Sequence, residues 1–182
     1  MQIYKTNKLV LSLTGNYDKF MQGVSSNNLN AKKNAFLDKF GKIVVTFDQI
    51  KNKNELLVII EPQFYERLIE HLSKYIKISK VRMDKTNKVA WWNLESKELC
   101  VSDEKINTNV SEKEFNKWRL KNNVLIQGID YDKEMVLNVS EEFVSFSKGC
   151  YLGQEIVAKV KYKGRAPKKL VVKGEKFVFV EN

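Results

Sequence analysis

Hydrophobic and polar positions first form a regular pattern near the start of the chain. Residues 8–13 alternate as in a strand that is covered on one face, and Gly15 ends the alternation. Residues 16–23 then change to helical spacing. Three large apolar side chains fall on one face of this short helix: Tyr17, Phe20 and Met21. The segment therefore predicts a strand followed by a helix.

The next part of the chain predicts a hairpin and a longer helix. Residues 41–50 and 55–60 are strand-like and are separated by four polar residues, which is typical of a β-hairpin. Pro62 suits the first turn of a helix. The apolar stripe of that helix consists of Phe64, Leu68, Leu72, Tyr75 and Ile76. His71 lies at the edge of the stripe, where a solvated or boundary residue is expected.

Further strands are predicted over residues 77–83, 89–94 and 99–101. Hairpins and single helices in this order predict an α+β fold, with largely antiparallel sheets and flanking helices.

Helix and strand signals return after an irregular stretch. Ser111-Glu112-Lys113-Glu114 is a capping-box sequence, so a third helix is expected to begin there. Residues 144–146 predict a short strand, and residues 154–158 favour a helix. Two last strands are expected over 169–172 and 176–180, as the hairpin of an incomplete sheet.

Composition narrows the class of protein. The longest apolar runs, such as 56–60, have the length of a strand and are far too short to span a membrane. Residues 1–5 lack the features of a secretory signal, so a cytoplasmic protein is expected. Two cysteines and one histidine are too few for a disulfide framework or for an ordinary metal site, so no metal is expected.

The net charge of +10 is unevenly distributed. From Lys148 onward there are nine basic residues against three acids. Such a segment suits a nucleic acid, an acidic protein or a polyanionic small ligand. A solvated surface, or a general abundance of lysine in the source genome, would give the same count.

The segment with the clearest chemical signal is Lys148-Gly149-Cys150-Tyr151-Leu152-Gly153-Gln154-Glu155. A cysteine close to a helix N-terminus, with a lysine two residues before it, has two reasons for a lowered pKa. Cys150 is therefore a candidate reactive thiol. The alternative is a small buried hydrophobic residue in a glycine turn. For Cys100, which lies in a strand-like segment, the structural interpretation is preferred.

This octapeptide resembles the K-G-C-(aromatic)-x-G-Q-E signature of the YgfZ-like proteins, a branch of the aminomethyltransferase (glycine-cleavage T-protein) superfamily. Three further segments are similar to that family: residues 11–15 with 20–23, residues 38–43, and Arg119 before the folate-side loop. The resemblance covers residues from about Lys8 to Arg165.

The resemblance implies a folate-binding α+β fold, with tetrahydrofolate in a central cavity and a role in iron–sulfur cluster assembly or repair. It implies a folate-binding domain over residues 1–165, with halves of about 1–85 and 86–165. Residues 166–182 would be the remnant hairpin of a truncated C-terminal β-barrel. The implied partners are folate and iron–sulfur enzymes or their assembly proteins. Either a minimal protein has lost most of the barrel, or a partner or a second copy of the chain completes it.

The resemblance also implies roles for individual residues. Cys150 would be the catalytic or sulfur-exchanging thiol. The expected folate-binding residues are Lys148, Gly149, Tyr151, Gln154, Glu155, Arg119 and Asn138. The pteridine would pack on aromatic residues such as Tyr151, Trp91, Trp92 or Trp118. Its glutamate tail would meet Lys148, Arg119, Lys159, Lys161, Lys163 and Arg165.

Two positions depart from the family pattern. Val45 falls where aminomethyltransferases carry an aspartate that is held to be needed for one-carbon transfer. An aliphatic side chain cannot accept a proton or pair with a folate nitrogen, so this position argues against glycine-cleavage activity. Asn138 replaces the glutamate of a P-x-E motif and Val136 its proline, by ungapped counting from Cys150. Asparagine can hydrogen-bond a pterin but supplies no charge.

Two other functions remain open at this point. The first is a folate-dependent aminomethyltransferase of the glycine-cleavage T-protein type. The second is an RNA-binding or tRNA-modification accessory protein, which the basic C-terminal segment suggests.

Overall fold

The computed structural model describes residues 1–164 and 166–182. Its strands are Ile3–Lys5 (β1), Leu9–Gly15 (β2), Lys33–Leu37 (β3), Ile43–Lys51 (β4), Leu56–Ile60 (β5), Val81–Lys85 (β6), Val89–Asn93 (β7), Glu98–Ser102 (β8), Lys168–Lys173 (β9) and Lys176–Glu181 (β10). Its α-helices are Tyr17–Val24 (α1), Tyr65–Ile78 (α2), Glu112–Lys121 (α3), Val136–Val139 (α4) and Gln154–Tyr162 (α5). Short 3-10 turns occupy Pro62–Phe64 and Glu141–Phe143.

A five-stranded antiparallel sheet forms the centre of the fold, in the order β3-β4-β5-β2-β6. Helices α1 and α2 cover one face, where Leu11, Val58 and Leu68 belong to one apolar core. A three-stranded sheet, β1-β7-β8, covers the other face through a smaller core that includes Val10 and Ile59. Because both faces are covered, every residue of β5 is buried.

The remaining elements attach to the edges of these layers. Ser111 and Glu114 form the predicted capping box at the start of α3, which packs Phe115 against Trp92 of β7. Strands β9 and β10 form an antiparallel hairpin, and Leu170 and Phe179 of that hairpin pack on the core that contains α4 and α5. Among the described residues, no helix combines the length and apolar character needed to cross a membrane.

The structure confirms the α+β class and most of the predicted elements. The strand at 8–13, the first helix, the 41–60 hairpin, the helix after Pro62 and the capped third helix all form. The strand predicted from residue 77 begins at Val81, because α2 continues to Ile78.

The short strand predicted over 144–146 is wrong. The amide of Ser145 donates to the carbonyl of Ser26, whereas the amide of Val144 turns back to the carbonyl of Glu141. A single hydrogen bond of this kind does not form a β-ladder, so the segment is irregular.

Candidate functional site

Two neighbouring cavities lie between the five-stranded and the three-stranded sheets. The inner cavity has a volume of about 190 Å³ and the outer cavity about 670 Å³. Lys33, Asp48, Trp92 and Val124 border both, so the two spaces adjoin. The volume of the outer cavity falls within the range of about 300–1,000 Å³ that is typical of small-molecule sites.

Strand β4 presents its two faces to different surroundings. Val45 is fully buried in the core beneath the helices. Thr46 and Asp48 border the inner cavity, as the two-residue period of a strand requires for the opposite face. A side chain at position 45 therefore points away from this cavity. The carboxylate that β4 directs to the cavity is Asp48.

A partly buried cluster of charges lies at the inner cavity. The ammonium of Lys8 is 2.7 Å from Oδ2 of Asp48 and 3.4 Å from Oε1 of Glu61. The side chains are only 13%, 15% and 19% exposed, respectively. Burial alone would lower the pKa of Lys8, but the charges of Asp48 and Glu61 outweigh it and the pKa is raised. The cluster thus keeps one cation between two carboxylates.

A chain of neutral hydrogen bonds forms another part of the wall. The hydroxyls of Tyr131 and Thr46 are 2.7 Å apart, and Oε1 of Gln127 accepts from the amide of Thr46 at 2.8 Å. Burial raises the pKa of Tyr131 well above its usual range, so its phenol stays protonated.

Aromatic rings and basic residues complete the two cavities. The rings of Tyr4 and Phe115 stack with centroids 3.9 Å apart, and both border the inner cavity. Lys32 and Lys97 border the outer cavity, where Lys32 pairs with Glu98 at 2.9 Å. Cys100 also borders it, and burial, followed by the charge of Glu98, raises the pKa of its thiol.

The predicted Cys150 loop, residues 145–153, lies elsewhere. The amide of Leu152 donates to the carbonyl of Gly23 at the end of α1, at 3.3 Å. A Cβ atom added to Gly153 would lie 2.4 Å from the carbonyl oxygen of Asp38. Three segments that carry the family resemblance, 20–23, 38–41 and 148–153, therefore meet in space. Cys150 itself is exposed.

Lys148 fixes this loop from within. Its ammonium donates to the carbonyls of Ser25, Asn27 and Met21 at 2.5, 3.2 and 3.4 Å. Within residues 1–164 and 166–182, no carboxylate pairs with it. Burial lowers the pKa of Lys148 to about 8. Its charge is thus directed at the end of α1, where the helix carbonyls favour a cation.

Cys150 lies on the N-terminal side of helix α5. Gly153 is the N-cap of α5, so Cys150 precedes the first helical turn, where the dipole acts. Gly149 is exposed, and Gln154 is the first residue of α5. Tyr151 is buried, which raises the pKa of its phenol to about 12. A hydrogen bond from Lys159 lowers the pKa of Glu155, which is exposed.

The two other predicted folate-binding residues hold the scaffold together. Arg119 forms a buried ion pair with Asp130 at 2.8 Å. Asn138 donates to Glu134 at 3.1 Å and accepts from the amide of Lys168 at 3.3 Å. None of the eight predicted site residues borders the inner or the outer cavity within the described chain.

Of the other residues expected near a ligand, some border the cavities and others do not. Trp92 borders both cavities, whereas the indole of Trp118 donates to the carbonyl of Leu94. Lys159 and Lys161 pair with Glu155 and Glu141 on the surface, and Lys163 is exposed. Arg165 lies outside the described residues.

Sequence reasoning missed Lys8, Asp48 and Glu61. One signal was available, because Asp48 is the single charged residue within the run 43–50. A charge at an inward position of a covered strand requires a buried partner or a ligand.

Comparison of the sequence with protein-family models and with curated proteins finds no match. Among solved structures, the fold is similar to the glycine cleavage system aminomethyltransferase T from Bartonella henselae, with a TM-score of 0.67 and 8% sequence identity. The alignment covers 93% of this chain and 65% of that protein. The chain therefore has an aminomethyltransferase-T-like fold and spans about two thirds of the length of that protein.

Proposed function

We propose that this chain binds a reduced folate, tetrahydrofolate or a derivative, in the inner and outer cavities. The observation that carries the proposal is the partly buried Lys8–Asp48–Glu61 cluster, which lies at a cavity between the sheets of an aminomethyltransferase-T-like fold. A flat heteroaromatic ring would meet the stacked rings of Tyr4 and Phe115, and an anionic tail would leave past the lysines of the outer cavity.

Within this proposal, folate-dependent aminomethyl transfer is better supported than an iron–sulfur accessory role. The likeness of the fold is to an aminomethyltransferase. The valine at position 45 argued against transfer, but its side chain belongs to the core on the other face of β4. In this proposal Asp48, which borders both cavities, supplies the carboxylate that binds or orients the pteridine.

A second candidate function rests on Cys150. Its thiol is exposed at the surface where the three family-like segments meet. An accessible thiol on a loop anchored by Lys148 supports exchange of sulfur with an iron–sulfur protein or its assembly machinery. This role, its partners, the division at residue 165, the truncated barrel and a cytoplasmic location remain predictions.

Calorimetric titration with tetrahydrofolate tests the binding proposal. We expect micromolar-class affinity in the wild type and a loss of at least about tenfold in Asp48→Asn, because a charged hydrogen-bond acceptor is removed. The matched control is Asp84→Asn, whose carboxylate is half exposed and pairs with Arg82 on the surface. An affinity that both variants share with the wild type would contradict the assignment of the site.

A turnover assay with methylene-tetrahydrofolate then separates the two candidate activities. Turnover that Asp48→Asn abolishes would support the transferase. Binding without any turnover would favour the accessory role, and absence of binding would remove the folate assignment while leaving the fold.

A further inference from the structure

The hydrogen bonds around Gln127 have only one consistent direction. Its Oε1 accepts the backbone amide of Thr46 at 2.8 Å, and its Nε2 donates to the carbonyl of Val44 at 3.1 Å and to Asp132 at 3.3 Å. Since an amide proton can only be donated and a carbonyl oxygen can only accept, the side-chain amide has a fixed orientation.

This orientation determines where the hydroxyl protons point. Thr46 Oγ1 lies 3.1 Å from Oε1 of Gln127, which can only accept, so the threonine proton is donated there. The bond of 2.7 Å between Thr46 and Tyr131 must then carry the proton of Tyr131. In the reverse arrangement, two acceptors would face each other without a proton. The phenol oxygen of Tyr131 is thus left with lone pairs alone for a ligand.

The carboxylates at the same cavity are also acceptors. Oδ2 of Asp48 and Oε1 of Glu61 face the ammonium of Lys8, and this leaves Oδ1 and Oε2 for other partners. Lys8 directs protons toward both carboxylates. Tyr131, Asp48 and Glu61 therefore present acceptors to their part of the inner cavity, which is also bordered by the donors Lys8 and Lys33.

We propose that the inner cavity selects a ring edge with two adjacent N–H donors, such as an aminopyrimidine edge, and that Thr46 makes Tyr131 a specificity-determining residue by fixing its proton. This inference rests on the proposed function in that it assumes a heteroaromatic occupant of the cavity. It goes further by naming the hydrogen-bonding character of the edge and the residues that select it.

Two rings of the same shape test the selection. Pterin carries an amino group at C2, beside the N–H of N3, where lumazine carries a carbonyl oxygen. The nitrogen N1 changes at the same time from an acceptor to an N–H, so lumazine keeps two N–H groups but lacks the two adjacent donors of pterin. We expect calorimetry on the wild-type chain to give tighter binding of pterin by at least about tenfold, since a site that hydrogen-bonds a donor leaves buried acceptors unpaired with the analogue. Equal affinities would overturn the inference while leaving the folate proposal standing.

Variants of the proton chain give the second readout. In Thr46→Val the phenol proton is released toward the cavity, so lumazine should bind more tightly, pterin less tightly, and the preference should fall by about tenfold or more. Tyr131→Phe should weaken pterin without strengthening lumazine. A merely structural role would change both affinities in the same proportion, and that result would contradict the inference.

Thr14→Val is the matched control, because this partly buried residue at the end of β2 does not border the inner or the outer cavity. It should keep the wild-type preference. If neither ring binds the wild type at all, the occupant itself is wrong, and the folate proposal and this inference fail together.

Discussion

Lys148 is a buried cation whose environment makes the stability of the protein depend on pH. Burial lowers its pKa to about 8 from an ordinary value of 10.5. Between these values, the unfolded chain holds a proton that the folded protein has lost. The free energy of unfolding should therefore rise with pH across this window because of Lys148.

Replacement by Lys148→Met should remove this rise. Urea denaturation at pH values between 8 and 10.5 would measure the difference between the two proteins, which should grow in favour of the wild type. Lys163→Met is the control, since Lys163 is exposed near the end of α5. The same pH slope in wild type and Lys148→Met would show that the loop does not bury this amine.

At the residue scale, the octapeptide motif located the loop at which the family-like segments meet, but it did not locate the cavity. The glycines and the lysine around Cys150 can be recognised from the sequence alone, because they are its neighbours along the chain. The cluster of Lys8, Asp48 and Glu61 is assembled by strand register across the sheet, which a pattern of single residues does not contain. Val45 and Asp48 are three residues apart, so they lie on opposite faces of β4.

At the element scale, the turn before α5 depends on a glycine. Gly153 has a φ of +83°, and a Cβ atom there would lie 2.4 Å from the carbonyl oxygen of Asp38. Gly174, in the turn between β9 and β10, also has a positive φ, but no atom lies within 4 Å of its would-be Cβ. An alanine at either position would have a strained positive φ, but only an alanine at position 153 would also clash with a neighbouring atom.

Gly153→Ala should therefore lower the free energy of unfolding more than Gly174→Ala, by about 1–3 kcal/mol. Parallel urea titrations of both variants would measure this difference. Equal losses would mean that the Cys150 loop does not pack on the 38–41 turn.

Helix α3 and the segment that follows it are joined by Arg119. Its guanidinium donates to both oxygens of Asp130, at 3.0 and 2.8 Å, and Asp130 also accepts the amide of Ile126. The two side chains are 6% and 2% exposed. This pair anchors the 124–131 segment, which forms part of the wall of the inner cavity.

We expect Arg119→Met to lower the free energy of unfolding by about 3–5 kcal/mol, because it leaves a buried carboxylate without its partner. Arg82→Met, which breaks an exposed pair with Asp84, should change it by less than about 1 kcal/mol. Urea denaturation curves of the two variants and the wild type would measure these changes in the free energy of unfolding. A small loss in Arg119→Met would instead favour a residue kept for contact with a ligand.

The elements that sequence patterns failed to predict have two different physical causes. Strand β3 carries a buried polar residue, Asn34, whose side-chain amide bonds the carbonyl of Asn27, so its pattern lacks a clean apolar alternation. Strand β1 has only three residues and pairs with β7 from a distant part of the chain. In contrast, α2 is predicted well because its apolar stripe recurs at helical spacing, and β5 because it is an unbroken apolar run of strand length.

At the scale of the whole molecule, the five-stranded sheet separates two chemically different regions. The inner cavity lies on the face covered by β1, β7 and β8, whereas the Cys150 loop is attached to the end of α1, a helix of the other face. Folate binding and thiol chemistry should therefore be separable by substitution, because no residue of the Cys150 loop borders the cavities within the described chain.

This separation predicts opposite outcomes for two variants. Cys150→Ala should bind tetrahydrofolate within about twofold of the wild type, since additivity holds for sites without shared partners, yet fail to support iron–sulfur enzyme activity in cells that depend on this protein. Asp48→Asn should lose at least about tenfold in folate affinity, because a charged hydrogen-bond acceptor is removed. Cys100→Ser, which alters the only cysteine bordering the outer cavity in the described chain, controls for removal of a thiol.

Full complementation by Cys150→Ala would refute the thiol role. A large loss of folate affinity in that variant would instead mean that the loop and the cavity form one site, because only a shared ligand or a coupled movement could then connect them across the sheet.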